Sequence, residues 1–162
     1  MALSAYLTLK GQKQGAINGS VTQKGRENTI LVHSFSNEIT SPRDPATGLP
    51  TGKRVHEPVY LVKEIDRSSP QLWSALVTNE NLTAWELQFW TASATGVEQQ
   101  IYTIDLTNAS IASIHEYMDD NEDPAKANLP LLEEISFTYQ KIQWTWVQTK
   151  TTASDDWTSP VT

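Results

Sequence analysis

His33-Ser-Phe-Ser-Asn-Glu-Ile-Thr-Ser-Pro42 is followed, after a polar loop, by His56-Glu-Pro-Val-Tyr-Leu-Val-Lys-Glu-Ile-Asp66 and then by Ser68-Ser-Pro-Gln-Leu-Trp-Ser-Ala-Leu76. The order reads as strand, loop, strand and one capped helix. In 30–39, Leu31, Phe35 and Ile39 share one face; in 58–65, Val59, Leu61 and Ile65 alternate with Tyr60, Val62 and Glu64. Period two marks a half-buried strand. Ser69 is the expected N-cap and Pro70 the first helical residue. Leu72, Trp73, Leu76 and Val77 then recur at helical spacing, which predicts a helix over about residues 70–79. So short a helix needs its apolar face packed on a sheet or at the end of a barrel.

The same period two extends in both directions. Leu3, Ala5, Leu7 and Leu9 fall on one face of residues 3–10. Trp85, Leu87 and Phe89 group in 84–91, and Tyr102, Ile104 and Leu106 in 99–106. A weaker strand surrounds Ile111 and Ile114. Ile135, Phe137 and Tyr139 share a face in 133–139, as do Ile142, Trp144 and Trp146 in 141–148. The predicted fold is therefore mainly β: an antiparallel barrel or sandwich of about eight strands with one short flanking helix. An open sandwich leaves edges that pair with other chains, and Pro58 at the start of its strand reads as one edge-blocking device.

Composition narrows the function. The 162 residues make one domain with a core, expected over 1–148, followed by a polar tail over 149–162. A net charge of −7 argues against nonspecific nucleic-acid binding and against docking on anionic membranes. Zero cysteines exclude disulfides and thiolate metal sites. The opening Met-Ala-Leu-Ser-Ala-Tyr-Leu-Thr-Leu-Lys10 lacks the basic start and unbroken apolar run of a signal peptide. No segment approaches the roughly 18 apolar residues of a membrane span.

Motifs for chemistry are weak. Gly48-Leu-Pro-Thr-Gly52-Lys53 has the wrong spacing for a phosphate loop, and a strand follows it instead of a helix. Asp119-Asp120-Asn121-Glu122-Asp123 would need glycine where Pro124 stands to be a calcium loop. His33, His56 and His115 have no metal-ligand spacing. Glu133 and Glu134 fall on opposite faces of one strand and cannot act as an acid–base pair. The reading is of a protein with no cofactor, no metal and no enzymatic activity. A Trp-rich sugar-binding sandwich is the rival reading, with Trp90 and Trp157 as the candidate exposed rings; Trp85, Trp144 and Trp146 read as core.

Two long loops invite a functional reading. Residues 11–28 are polar and glycine-rich. Residues 40–55 carry three prolines with Arg43, Asp44, Lys53 and Arg54.

Several blocks, in order, resemble the haemolysin-coregulated protein (Hcp) family of type VI secretion. They are Tyr6-Leu-Thr-Leu-Lys-Gly11; Ser34-Phe-Ser36 with Ile39 and Pro42; Pro58 to Asp66 with Ser68-Ser-Pro70; and Glu134-Ile-Ser-Phe-Thr-Tyr-Gln-Lys-Ile-Gln-Trp-Thr-Trp146. The loops 11–28 and 40–55 vary among members, and the tail runs past the usual end. The resemblance implies a barrel-like sandwich whose copies close into homohexameric rings. The rings stack into a tube inside contractile sheath proteins, beneath a VgrG-type spike. It also implies small effector proteins carried in the lumen, and a subunit that waits in the bacterial cytoplasm and leaves the cell without a cleaved signal peptide. A heterologous contact of this kind must close on itself. Sheet edges and the faces of the 30–39 and 58–65 strands are the candidate ring surfaces. Arg43, Asp44, Lys53 and Arg54 are the candidate ring-stacking residues.

Overall fold

The computed structural model describes residues 3–158. Among them are thirteen strands and one helix: β1 (Ser4–Gly11), β2 (Gly15–Ile17), β3 (Ile30–Val32), β4 (Ser34–Ser36), β5 (Ile39–Thr40), β6 (Val55–His56), β7 (Val59–Glu64), α1 (Ser69–Val77), β8 (Leu82–Ala92), β9 (Glu98–Thr107), β10 (Ser110–Tyr117), β11 (Leu132–Thr138), β12 (Lys141–Trp146) and β13 (Thr151–Asp156). A seven-stranded sheet runs β13-β12-β9-β8-β1-β2, with β3 also on β1; a four-stranded sheet runs β10-β11-β7-β4; β5 and β6 form a separate ribbon. The two larger sheets keep separate ladders, so the fold is a sandwich and not a closed barrel.

The expected period-two faces mostly form the core. Leu7, Leu9, Trp85, Leu87, Ile104, Leu106 and Ile142 of the larger sheet are buried with Val59, Leu61, Ile135 and Phe137 of the smaller one. Trp85 meets Phe137 edge-on at 5.5 Å, and Phe89 meets Phe35 at 5.4 Å, which joins the two layers. Leu72 and Ala75 bring α1 into the same core.

Four expectations change. The 30–39 strand is three strands, because the chain changes sheets at His33, whose N–H donates to Val62 O at 2.7 Å. That break inverts the face: Ile30 and Val32 are buried, while Leu31 is 43% exposed. Pro58 guards no edge, since β7 lies inside its sheet between β11 and β4. Trp146, at the end of β12, is 43% exposed, and Val77, on the last turn of α1, is 73% exposed. The stretch expected as a polar tail carries β13, which pairs with β12 from Lys141↔Asp156 to Trp146↔Thr151. Its Thr and Ser residues lack an apolar face, so period two was invisible there.

Local geometry explains α1. Ser68, not Ser69, is the N-cap, and Pro70 follows as the second helical residue. The Ser69 hydroxyl is committed elsewhere: it accepts from the Asp66 N–H at 3.0 Å and donates to Glu133 Oε1 at 2.8 Å. At the far end Asn79 takes φ 52°. Asn79 N–H then bonds Leu76 O at 3.2 Å and Glu80 N–H bonds Ala75 O at 2.9 Å, a Schellman closure. Glu80 is left buried over Gly11, where a Cβ would come within 1.9 Å of its Oε2.

The glycine-rich 11–28 loop is tied down. Arg26 is buried between the rings of Tyr6 and Trp90, 4.9 and 4.3 Å from their centroids, and pairs with Glu98.

Beneath α1 lies a charge pair that period-two reading passes over. Lys63 and Glu133, neighbours across β7 and β11, are fully buried and ion-paired. Lys63 Nζ also donates to Glu64 O at 2.8 Å and Asp66 Oδ1 at 3.2 Å. Removing one partner leaves a buried charge uncompensated. Lys63→Ala is expected to cost about 3–5 kcal/mol in urea unfolding, and pairing Lys63→Met with Glu133→Leu to recover most of it.

On the outward face of the larger sheet, Glu86 and Asp105 stand directly opposite each other. Burial first, then the Glu86 charge, pushes the Asp105 carboxyl up to about 6. The folded value lies above the unfolded one of about 3.9, so the native state holds the extra proton and stability falls as pH rises from about 4 through 6. Asp105→Asn should therefore stabilise the fold by on the order of 1 kcal/mol near pH 8 and by little near pH 4, read as the difference in urea midpoints.

Candidate assembly surfaces

The 40–55 loop is not a loose loop. β5 and β6 pair as Ile39↔His56 and Thr40↔Val55, and a further bridge joins Arg43 to Pro50. Thr51 N–H donates to Pro42 O at 3.0 Å, and Asp44 N–H to Leu49 O at 2.8 Å. The result is an antiparallel arm reaching on the order of 15–20 Å from its root. Its tip turns at Gly48, with φ 72°, and the Asp44 carboxylate accepts from the Ala46 N–H at 2.8 Å. Among the described residues, no hydrogen bond ties 41–53 to the rest of the chain.

The four predicted residues separate along this arm. Arg43 and Lys53 are exposed, Asp44 is a half-buried turn residue, and Leu49 at the tip is 64% exposed. Arg54 belongs to the root: its side chain is 16% exposed and paired with Asp155 on β13. Sequence alone has no signal for that contact, whose partners lie 101 residues apart.

His56, unassigned in the sequence, is the centre of the root. Its Nε2 lies 2.7 Å from Asp155 Oδ2 and its Nδ1 lies 2.8 Å from the Tyr139 hydroxyl. The Asp–His–Tyr order resembles a proton relay. The Tyr139 side chain is buried, however, and burial, helped by the Asp155 charge, pushes its hydroxyl up to about 12. The protonated phenol thereby holds the His56 ring at the root of the arm.

The remaining candidates fall elsewhere. His33 lies 3.3 Å from Glu64 on the surface, and His115 stacks on Tyr117. No group of three or more His, Cys, Asp or Glu able to hold a metal ion occurs among the described residues. Gly48 to Lys53 forms the tip and return of the arm. The 119–123 acidic run forms turns, in which Asp120 accepts from the Glu122 N–H at 3.0 Å and Asp123 from the Ala125 N–H at 3.0 Å. Trp85 is core, and the Trp90 ring lies under Arg26. Trp157 packs on His56 and donates its indole N–H to Tyr139 O. Trp157 nevertheless remains 40% exposed, as expected, whereas Trp90 is half-buried against the 11–28 loop.

Open edges are present on both layers. β13 ends the larger sheet, and β10 and β4 end the smaller one. Beside β4, a groove of about 250 Å³ is lined by Leu3, Ala5, Val32, Phe35 and Phe89 among others. No helix among the described residues is long and apolar enough to cross a membrane.

Comparison with known proteins accounts for this architecture. A family model described as "Type VI secretion system effector, Hcp" matches residues 6–146. The "Major exported protein" of Pseudomonas aeruginosa is 42% identical over 170 aligned positions, covering 99% of each chain. The solved structure "Crystal structure of Hcp protein" superposes with a TM-score of 0.89 at 28% identity, covering 96% of this chain and 98% of that one. "Secreted protein Hcp3 from Pseudomonas aeruginosa" gives a TM-score of 0.80 at 35% identity, covering 98% and 100%. The sandwich, the single helix and the sequence blocks thus converge, and the chain belongs to the Hcp family of type VI secretion.

Proposed function

We propose that this chain is the repeating subunit of a type VI secretion tube. Six copies close into a ring, rings stack within contractile sheath proteins, and the column is expelled with a VgrG-type spike and small effector proteins. The subunit waits in the bacterial cytoplasm and is exported with the column. Its role is structural and needs no cofactor. Family membership supports this reading, and the observation that carries it is the projecting arm at 39–56, an exposed ribbon that, among the described residues, makes no hydrogen bond to the body beyond its root.

The remaining surfaces suit the same role. Lateral contacts use the open sheet edges, where unpaired backbone groups accept another chain. Arg43 and Lys53 on the arm make the stacking contact, aided by Leu49. Such a contact is small and polar, which suits a column that assembles and comes apart.

Light scattering on the size-exclusion peak, followed by negative-stain imaging, tests the ring. A particle of six chains with a central hole is the expected result, and a monomer at micromolar concentration would sink the proposal. The arm is tested separately by reversing two charges together, Arg43→Glu with Lys53→Glu. Rings should persist while end-to-end tubes are lost. Tubes formed as readily as by the unmodified chain would remove these residues from the stacking contact.

A further inference from the structure

The root of the arm and the C-terminal strand share one carboxylate. Asp155 Oδ2 accepts from Arg54 Nε and from His56 Nε2. Arg54 Nη2 adds a bond to the backbone oxygen of Asp156 at 2.9 Å. With His56 Nε2–H committed to the carboxylate, Nδ1 is the acceptor for the Tyr139 O–H. Trp157 covers the imidazole, with ring centroids 5.9 Å apart. The His56 side chain is only 2% exposed. The Arg54 guanidinium, and then His56, hold the Asp155 carboxyl below the usual carboxylate range, so it stays ionised at neutral pH. The Asp156 carboxylate is bonded outside this group, accepting from Gln140 and Thr158.

Both elements joined here are weakly held otherwise. The arm has only its own ladder and its root. Among the described residues β13 is an edge strand, with four of its six residues exposed and β12 as its ladder partner. It also lies beyond the 6–146 stretch that the family model matches. A ribbon free to swing would lose that freedom on docking, and the ordering would weaken the contact; a ribbon already held does not.

We infer that Asp155 is a positioning residue for the arm: β13 acts as a latch, clamping Arg54 and His56 against Tyr139 so that the arm meets a second copy of the chain already oriented. The inference rests on the arm being the stacking element, and the latch itself can be measured without stacking.

The test uses the full chain with Asp155→Asn and, separately, Arg54→Gln, which leaves β13 unaltered. Amide hydrogen exchange in 41–56 of isolated rings reads the latch, and negative-stain imaging reads stacking. Both variants should keep their rings and the slow exchange of β1 and β11. Exchange across 41–56 should rise on the order of tenfold, as loss of one charge-assisted pair implies, and tubes should shorten or vanish. The double variant should add little, because both changes release one clamp. Unchanged exchange at 41–56 in both variants would overturn the latch. Faster exchange with undiminished tubes would uphold the latch and remove the arm from stacking. Should Asp155→Asn lose its fold, Arg54→Gln decides alone by the same two readouts.

Discussion

The change of sheet at His33 is the constraint on which the rest of the structure depends. A strand can leave one ladder for another only where its pairing breaks. Here β3 stays on β1, His33 bonds across to Val62, and β4 continues on β7. That crossing is the first of several between the two sheets, and it lets Phe35 of β4 reach Phe89 of β8 across the sandwich. It also sends the chain out of the smaller sheet at β4 and back in at β7. Everything between those strands must leave the sandwich, and the arm is the result.

Polar groups at the margins then hold what the apolar core cannot. Lys63 and Glu133 tie β7, β11 and the start of α1 together inside the protein. Such a pair is poor evidence for net stability, because desolvation offsets most of its attraction. Its consequence is registry, since only one alignment of β7 on β11 lets both charges meet. Arg26 does the equivalent for the 11–28 loop, held between two aromatic faces. Asp155 does so for the arm. In each case one charged side chain with a specific partner fixes the element.

This arrangement separates core from contact surfaces. Hydrophobic packing sets the sandwich, while charged groups fix the poorly packed elements at its margins.

The sequence by itself determined the β class, the place and length of the helix to within a residue or two, and most of the inward faces. Trp85, Leu87, Ile104, Ile135 and Ile142 were legible because period two is local: each strand carries its own pattern. The family blocks were legible for the same reason. What only the tertiary structure decided was long-range. Leu31 points outward because its strand ends at a sheet change. Lys63 is buried because Glu133 lies beside it, 70 residues away. Arg54, a stacking candidate in the sequence, turns inward because Asp155 is there. β13 has no apolar face to announce it and exists because β12 offers an open edge. No single stretch of sequence carries such information, since each of these positions depends on a partner that only folding brings near.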